Sequence, residues 1–387
     1  MKYLSIFIFT LALLIGCKEN SEKPSHQSAL ENLDYKWVEE KIEDVMKTNN
    51  IPALSIGIVR GGRLVYSEGF GHLNRDSSTK VGPNTLYQIG SDTKKFTAMV
   101  VNNLVMEGEL DLDKSIMSYL PDSLPKETRK KLQKISIKML LNHKSGIPNR
   151  APSNSRIDGD PMLIPYTKGD LLSDLNDLDL DFEPGTKFSY SNLGYAITGY
   201  LCERAGNQDY ASLVKKLITN KYGMPNTCVF PNAEQKKLIA TPYRKDDKTV
   251  KSAPWAMGKM TPAGGIYSNV LDISNLMIAQ LKAYQKFYET GDKNNPLILT
   301  ENAETNDEHY GFGLAKRIDE NGIRYGHGGD LDGFASGYVF SAEHGTGVVL
   351  LTSSGGKWFS SLDGEIRKIL FDKVRSKTVN DDAYIEK

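Results

Sequence analysis

The chain predicts an α+β fold: an antiparallel sheet flanked by helices, with a mostly helical domain inserted into it. Three observations carry that expectation. Strand-like segments cluster towards both ends, the middle reads with helical periodicity, and 387 residues suffice for one large or two ordinary domains with a real core. The expected partition is residues 35–90 with 253–376 as a mixed α/β sheet domain and 91–252 as the mostly helical one.

The first residues lie outside that fold. Lys2 precedes an apolar run from Leu4 to Ile15, which fits a secretory signal and is too short to span a bilayer. The run ends Leu14-Ile15-Gly16-Cys17, which resembles a bacterial lipoprotein processing site. Residues 1–16 are therefore expected to be a lipoprotein signal peptide and Cys17 the lipidated first residue of an exported chain. That chain would be anchored at the periplasmic or surface face of a bacterial membrane. Residues 17–34, rich in Lys, Glu, Asn and Ser, read as a flexible tether.

Within the folded part, Val38 to Met46 reads as a helix. Leu54 to Val59 and Leu64 to Phe70 read as two strands, and Arg60-Gly61-Gly62-Arg63 between them is a hairpin signal. Phe96, Met99, Val100 and Leu104 recur at helical intervals, with Gly108 as the stop. From Leu110 to about Ile218 the pattern stays mostly helical, and the polar stretch from Gly146 to about Thr167 is a long loop of the kind that carries function. A helix is expected from about Val270 to Tyr284. Tyr310 to Arg317, Gly322 to Gly326, Ala335 to Phe340 and Val348 to Thr352 form a strand meander, and Leu362 to Val374 is a closing amphipathic helix.

Composition excludes several function classes. Lys plus Arg number 48 and Asp plus Glu 48, so nothing points to nucleic acid as a partner. His26, His72, His309 and His344 show no paired ligand spacing, so no metal site is expected. No serine has glycine at both second neighbours, which disfavours hydrolases of the nucleophile-elbow type. Beyond Cys17, Cys202 and Cys228 lie in apolar surroundings and read as buried thiols, although export permits a disulfide.

The chemistry is read from three places. Ser91-Asp92-Thr93-Lys94 opens the apolar helix, so Ser91 sits near a helix start with Lys94 one turn on along the same face. Serine three residues before lysine occurs five times, but only Ser91 opens a strongly apolar helix. Lys94 needs a lowered pKa to act as a base, since a neutral amine at pH 7 otherwise costs roughly 4–5 kcal/mol. A phenol that shares the proton eases this, and Tyr190-Ser191-Asn192 after Pro184-Gly185 supplies one, held by cations. The same triplet at Tyr267-Ser268-Asn269 precedes an ordinary helix and reads as structural. In Tyr325-Gly326-His327-Gly328-Gly329-Asp330, glycines on a strand let a ligand approach closely, and N–H groups of Asp330 and Ser91 can hold an oxyanion. His327 adds a tunable cation or donor. His143 reads as a brace for the loop after it.

At these places the chain resembles the serine β-lactamase and penicillin-binding-protein family, in its class C, esterase and D,D-peptidase branch. The resemblance runs from about Val38 to Phe371 and includes Ile51-Pro52-Ala53-Leu54-Ser55, Leu140-Leu141-Asn142-His143-Lys144-Ser145-Gly146 and Pro262-Ala263-Gly264-Gly265-Ile266-Tyr267-Ser268. It implies a β-lactamase/transpeptidase-like fold and a hydrolase without cofactor. Ser91 would be the acylated nucleophile, Lys94 its proton partner, Tyr190 the general base and acid, and Asn192 a substrate-amide contact. The family's Lys-Thr-Gly maps to His327-Gly328-Gly329, which lacks a hydroxyl and a permanent cation. Losing a charge-assisted hydrogen bond costs about 1.5–3 kcal/mol, so an esterase or peptidase-like enzyme with poor β-lactam turnover is expected. The substrate would be a small molecule or peptide-like. The rival reading is a non-catalytic or slowly deacylating binding or sensor lipoprotein with the same fold.

Overall fold

The computed structural model describes residues 34–150, 163–301, 310–320 and 322–382. The expected signal peptide, Cys17 and the tether up to residue 33 lie outside the described residues, as does the 151–162 part of the expected loop.

In chain order, helix α1 (Lys36–Asn49) leads into strands β1 (Ala53–Arg60) and β2 (Arg63–Gly71). Strand β3 (Tyr87–Gln88) precedes a 3-10 turn, Gly90–Asp92, and helix α2 (Thr93–Met106). Helices α3 (Lys126–Leu132), α4 (Ile137–Leu141), α5 (Lys168–Asn176), α6 (Asn192–Ala205), α7 (Tyr210–Val214), α8 (Ala233–Lys237) and α9 (Thr261–Gly264) follow. The chain then returns to strand β4 (Tyr267–Ser268), helix α10 (Val270–Thr290), strands β5 (Ala315–Asp319), β6 (Gly322–Leu331), β7 (Phe334–Ser341) and β8 (Thr346–Thr352), and helix α11 (Lys357–Asp382).

The main sheet is six-stranded in the order β2-β1-β8-β7-β6-β5, and its strand pairs are antiparallel. The first hairpin therefore pairs with the last strand, which joins the two strand-rich ends of the sequence into one layer. Gly61 and Gly62 both take positive φ, 55° and 75°, as a tight hairpin turn requires. Alternation along the strands sorts side chains to two faces. Val348 and Leu350 pack with Ile56, Ile58, Val38 and Ile42 of α1, and Leu362 and Ile366 of α11. Val349 and Leu351 join the other core, with Ile273, Met277 and Tyr284 of α10. Each fully buried Ile, Leu or Val contributes about 1.5–3 kcal/mol, so both helical layers are held chiefly by apolar burial.

The expected strand Tyr310 to Arg317 is corrected: Ala315–Asp319 is the strand, and the residues before it turn. Gly311 N donates to Leu314 O, and Gly313 takes φ +70° where an added Cβ would lie 2.5 Å from the Lys94 carbonyl carbon. That close approach to α2 breaks the extended run. The closing helix begins at Lys357 and α10 runs on to Thr290. Cys202 and Cys228 are both free thiols. The described residues from Tyr35 onward form one compact unit.

Candidate active site

A cavity of about 340 Å³ opens between the sheet edge and the helical part. Ser91, Tyr190, His327, Gly328, Gly329 and Asp330 line one side, and Phe359, Ser360 and Asp363 of α11 line another. Three segments far apart in sequence thus meet on one opening.

Ser91 sits in the 3-10 turn ahead of α2, where the first backbone N–H groups have no intrahelical acceptor. Gly90 takes φ +54°, and a Cβ there would lie 3.0 Å from Gly329 Cα and 3.1 Å from Asp330 N. Only glycine lets β6 come so near the turn. The Ser336 hydroxyl fastens the approach by donating to Ile89 O at 2.7 Å. The Asp330 side chain turns to solvent and pairs with Lys245 at 2.9 Å.

Lys94 is fully buried one turn into α2. Its Nζ lies 2.7 Å from Asn192 Oδ1, 2.7 Å from the Ala263 carbonyl oxygen and 3.2 Å from Ser91 Oγ. Aromatic faces close the remaining space, with Nζ 4.7 Å from the Tyr190 ring centroid and 5.4 Å from that of Tyr195. Burial holds its pKa well below the usual lysine range, and among the described residues no carboxylate opposes this. A neutral amine has two N–H groups and one lone pair. In that form the Asn192 and Ala263 oxygens would take the N–H groups and leave the lone pair to the Ser91 hydroxyl, whereas an ammonium would donate to all three.

Tyr190 lines the cavity with Ser91, and the cations expected to hold its phenol are not among the causes that set its pKa. Burial pushes its pKa up, and the Ser91 contact offsets that only in part. Burial thus favours the protonated phenol.

Asn192, the expected substrate-amide contact, is engaged from both ends. Its Oδ1 receives Lys94, and its Nδ2 donates to Asn149 Oδ1 at 3.0 Å. His327, expected as a tunable cation or donor, is held in its neutral form. Burial, reinforced by the charge of Lys94, pushes its pKa down to about 3. Nδ1 lies 2.6 Å from the Gly328 carbonyl, which can only accept, so Nδ1 carries the proton. Nε2 then accepts from the Tyr310 hydroxyl at 3.0 Å. Tyr267 pairs with Gln88 across β3 and β4, and Asn269 caps α10 by accepting from Asp272 N at 2.8 Å, the structural role expected of the second triplet.

Sequence reasoning missed Ala263, Tyr310 and the α11 wall. Ala263 acts through a backbone carbonyl that no side chain announces, although its stretch was among those carrying the resemblance. Tyr310 stands at the start of the expected strand, where nothing in the sequence marks it. His143, expected as a brace, does more than the sequence indicates. It is buried with φ +59°, its carbonyl accepts from Ser189 N at 2.9 Å, and its Nδ1 accepts from Ser191 N at 3.1 Å. Among the described residues no cluster of acidic, histidine or cysteine side chains could hold a metal ion.

Comparison with known proteins follows the same lines. The family model described as Beta-lactamase matches residues 38–369. Protein flp of Staphylococcus aureus (strain MRSA252) is 25% identical over 351 residues, covering 90% of this chain and 69% of that protein. A Beta-lactamase of Providencia stuartii is 28% identical over 237 residues, 61% of this chain and 57% of that protein. The octameric penicillin-binding protein homologue from Pyrococcus abyssi superposes with a TM-score of 0.73 at 26% identity, covering 88% of this chain and 78% of that one.

Proposed function

The chain belongs to the Beta-lactamase family, and from that premise we propose that it is a serine hydrolase that cleaves an ester or amide of a small-molecule or peptide-like substrate through an acyl-enzyme. The observation that carries this is the environment of Lys94: a buried amine 3.2 Å from Ser91 Oγ with acceptors for its own hydrogens. Lys94 takes the hydroxyl proton as Ser91 Oγ bonds to the carbonyl carbon. The N–H groups of Ser91 and Asp330 hold the resulting oxyanion. The proton then passes through the Tyr190 hydroxyl to the leaving oxygen or nitrogen, and the acyl bond to that atom breaks. Water repeats the sequence, with the proton returning to Ser91. No cofactor enters this scheme.

We propose an ester or a D-amino-acid peptide ahead of a β-lactam as substrate. His327 is neutral and tied to Tyr310, and Gly328 has no hydroxyl, so this strand offers little to a substrate carboxylate. We also propose that the chain is exported and held at a membrane by acylated Cys17, a reading supported by its N-terminal sequence. No helix among the described residues is long and apolar enough to cross a membrane. Loss of palmitate incorporation in Cys17→Ala is the expected result, and unchanged incorporation defeats the anchor.

A fluorophosphonate probe tests the reaction. It should label wild type and spare Ser91→Ala, and wild type should turn over a short-chain aryl ester faster than a chromogenic cephalosporin. Absence of both labelling and turnover would favour a binding or sensor lipoprotein.

A further inference from the structure

Tyr190 sits on a stretch with no regular structure, between Glu183 and the start of α6. Its phenol must nonetheless stay within hydrogen-bond reach of Ser91, because a small displacement of a proton-transferring group costs large factors in rate. The bonds that fix its neighbours converge on one residue. Ser189 N donates to His143 O at 2.9 Å, and Ser191 N donates to His143 Nδ1 at 3.1 Å, one on either side of Tyr190. The imidazole also lies against the Tyr190 ring, with centroids 4.3 Å apart, and Tyr195 and Tyr310 close around it at 5.1 Å and 4.8 Å.

His143 carries two local costs. It is a non-glycine residue in the left-handed region, at φ +59°. Because Nδ1 accepts from Ser191, the neutral ring carries its proton on Nε2, and that buried atom has no hydrogen-bond partner among the described residues. A brace could be built from many residue types without an orphaned donor. Such costs persist where the surroundings over-determine a geometry that function needs.

We propose that His143 is a positioning residue for the reaction: its carbonyl, its Nδ1 and its ring face together set the Tyr190 hydroxyl against Ser91. This rests on the hydrolase reading above for its kinetic consequences, but not for its geometry. Two variants separate the parts. His143→Asn keeps a side-chain acceptor near the Nδ1 position and tolerates positive φ, whereas His143→Phe keeps a ring and loses the acceptor.

With 4-nitrophenyl acetate, His143→Phe should lose about 100-fold in kcat with KM within about threefold of wild type, and His143→Asn should recover to within about tenfold. Incorporation of 3-fluorotyrosine at position 190 gives a readout that needs no turnover. Its 19F resonance should be single and sharp in wild type and in His143→Asn, and shifted or broadened in His143→Phe. Thermal melts establish that each variant is folded, and if His143→Phe is not, the Asn variant decides alone by whether its resonance stays sharp. An unmoved resonance in folded His143→Phe, or a broadened one in His143→Asn, overturns the proposal. Absence of wild-type turnover with the expected resonances would instead defeat the hydrolase reading and leave the clamp intact.

Discussion

Lys94 Nζ and Asn192 Oδ1 meet at 2.7 Å although 98 residues separate them in sequence. One belongs to α2, the other to the first turn of α6, so the contact joins the two helices beside Ser91. It takes one hydrogen of the amine, and the Ala263 carbonyl takes another. Several measurable consequences come from this arrangement and from those around it.

Lys94→Met should abolish turnover and raise thermal stability at pH 7. The folded pKa of Lys94 lies below its unfolded value, so between the two the unfolded chain binds the extra proton. Wild-type stability therefore rises with pH across that window, and catalysis is lost as pH falls through the folded pKa. Melting curves from pH 6 to 9 should show a smaller pH slope in the variant. A variant less stable than wild type throughout would contradict a buried neutral amine.

Tyr190→Phe should lower kcat by roughly 10²–10⁴-fold while leaving substrate affinity nearly unchanged, since the phenol passes the proton and the ring still packs. The loss should be larger for an amide than for an aryl ester, whose leaving oxygen needs no proton. Steady-state kinetics on an ester and amide pair of matched shape would check it.

His327→Lys combined with Gly328→Thr should raise penicillin acylation by roughly tenfold to a hundredfold, restoring a cation and a hydroxyl to the strand. A Cβ on Gly328 would lie 3.2 Å from Ser336 O, a tight fit that asks for a shift of a few tenths of an ångström. Gly329→Ala behaves differently. Its Cβ would lie 2.0 Å from Ile89 O, and activity on every substrate should collapse. Labelling rates with a fluorescent penicillin distinguish the two positions.

Asp92→Ala should cost about 3–5 kcal/mol of unfolding free energy in a urea titration. Asp92 and Lys95 form an ion pair in which both side chains are fully buried, and burial pushes the carboxyl up and the amine down despite their pairing. Removal of the carboxylate strands Lys95 against two aromatic faces, with Nζ 3.8 Å from the Tyr338 ring centroid and 5.4 Å from that of Phe96. Asp92→Ala with Lys95→Met should recover much of the loss.

Much of this arrangement is legible in the residues themselves. Gly61-Gly62 announces the hairpin because both positions need positive φ, and β-branched runs at both ends announce one shared sheet. Ser91 and Lys94 share a helix face by spacing alone. The remainder depends on what surrounds a side chain after folding. Tyr190 and His327 look like tunable groups in sequence, yet burial decides their charge and decides it against the ionised form in both. Ala263 contributes a carbonyl that any residue could offer. Gly313 looked like a strand glycine, but it serves the passage of one backbone past another.

At Gly90 and Gly329, peptide lies directly on peptide with no side chain to separate them. The joint works like a rivet between the serine-bearing turn and the strand that faces it. Selection can reshape what enters the cleft by altering the loops and α11, but it has no lever on the gap at the rivet itself. Diversity in what the cleft admits would therefore come from the walls, while the spacing of the Ser91 turn and β6 is permitted by the two glycines and held by the Ser336 hydroxyl.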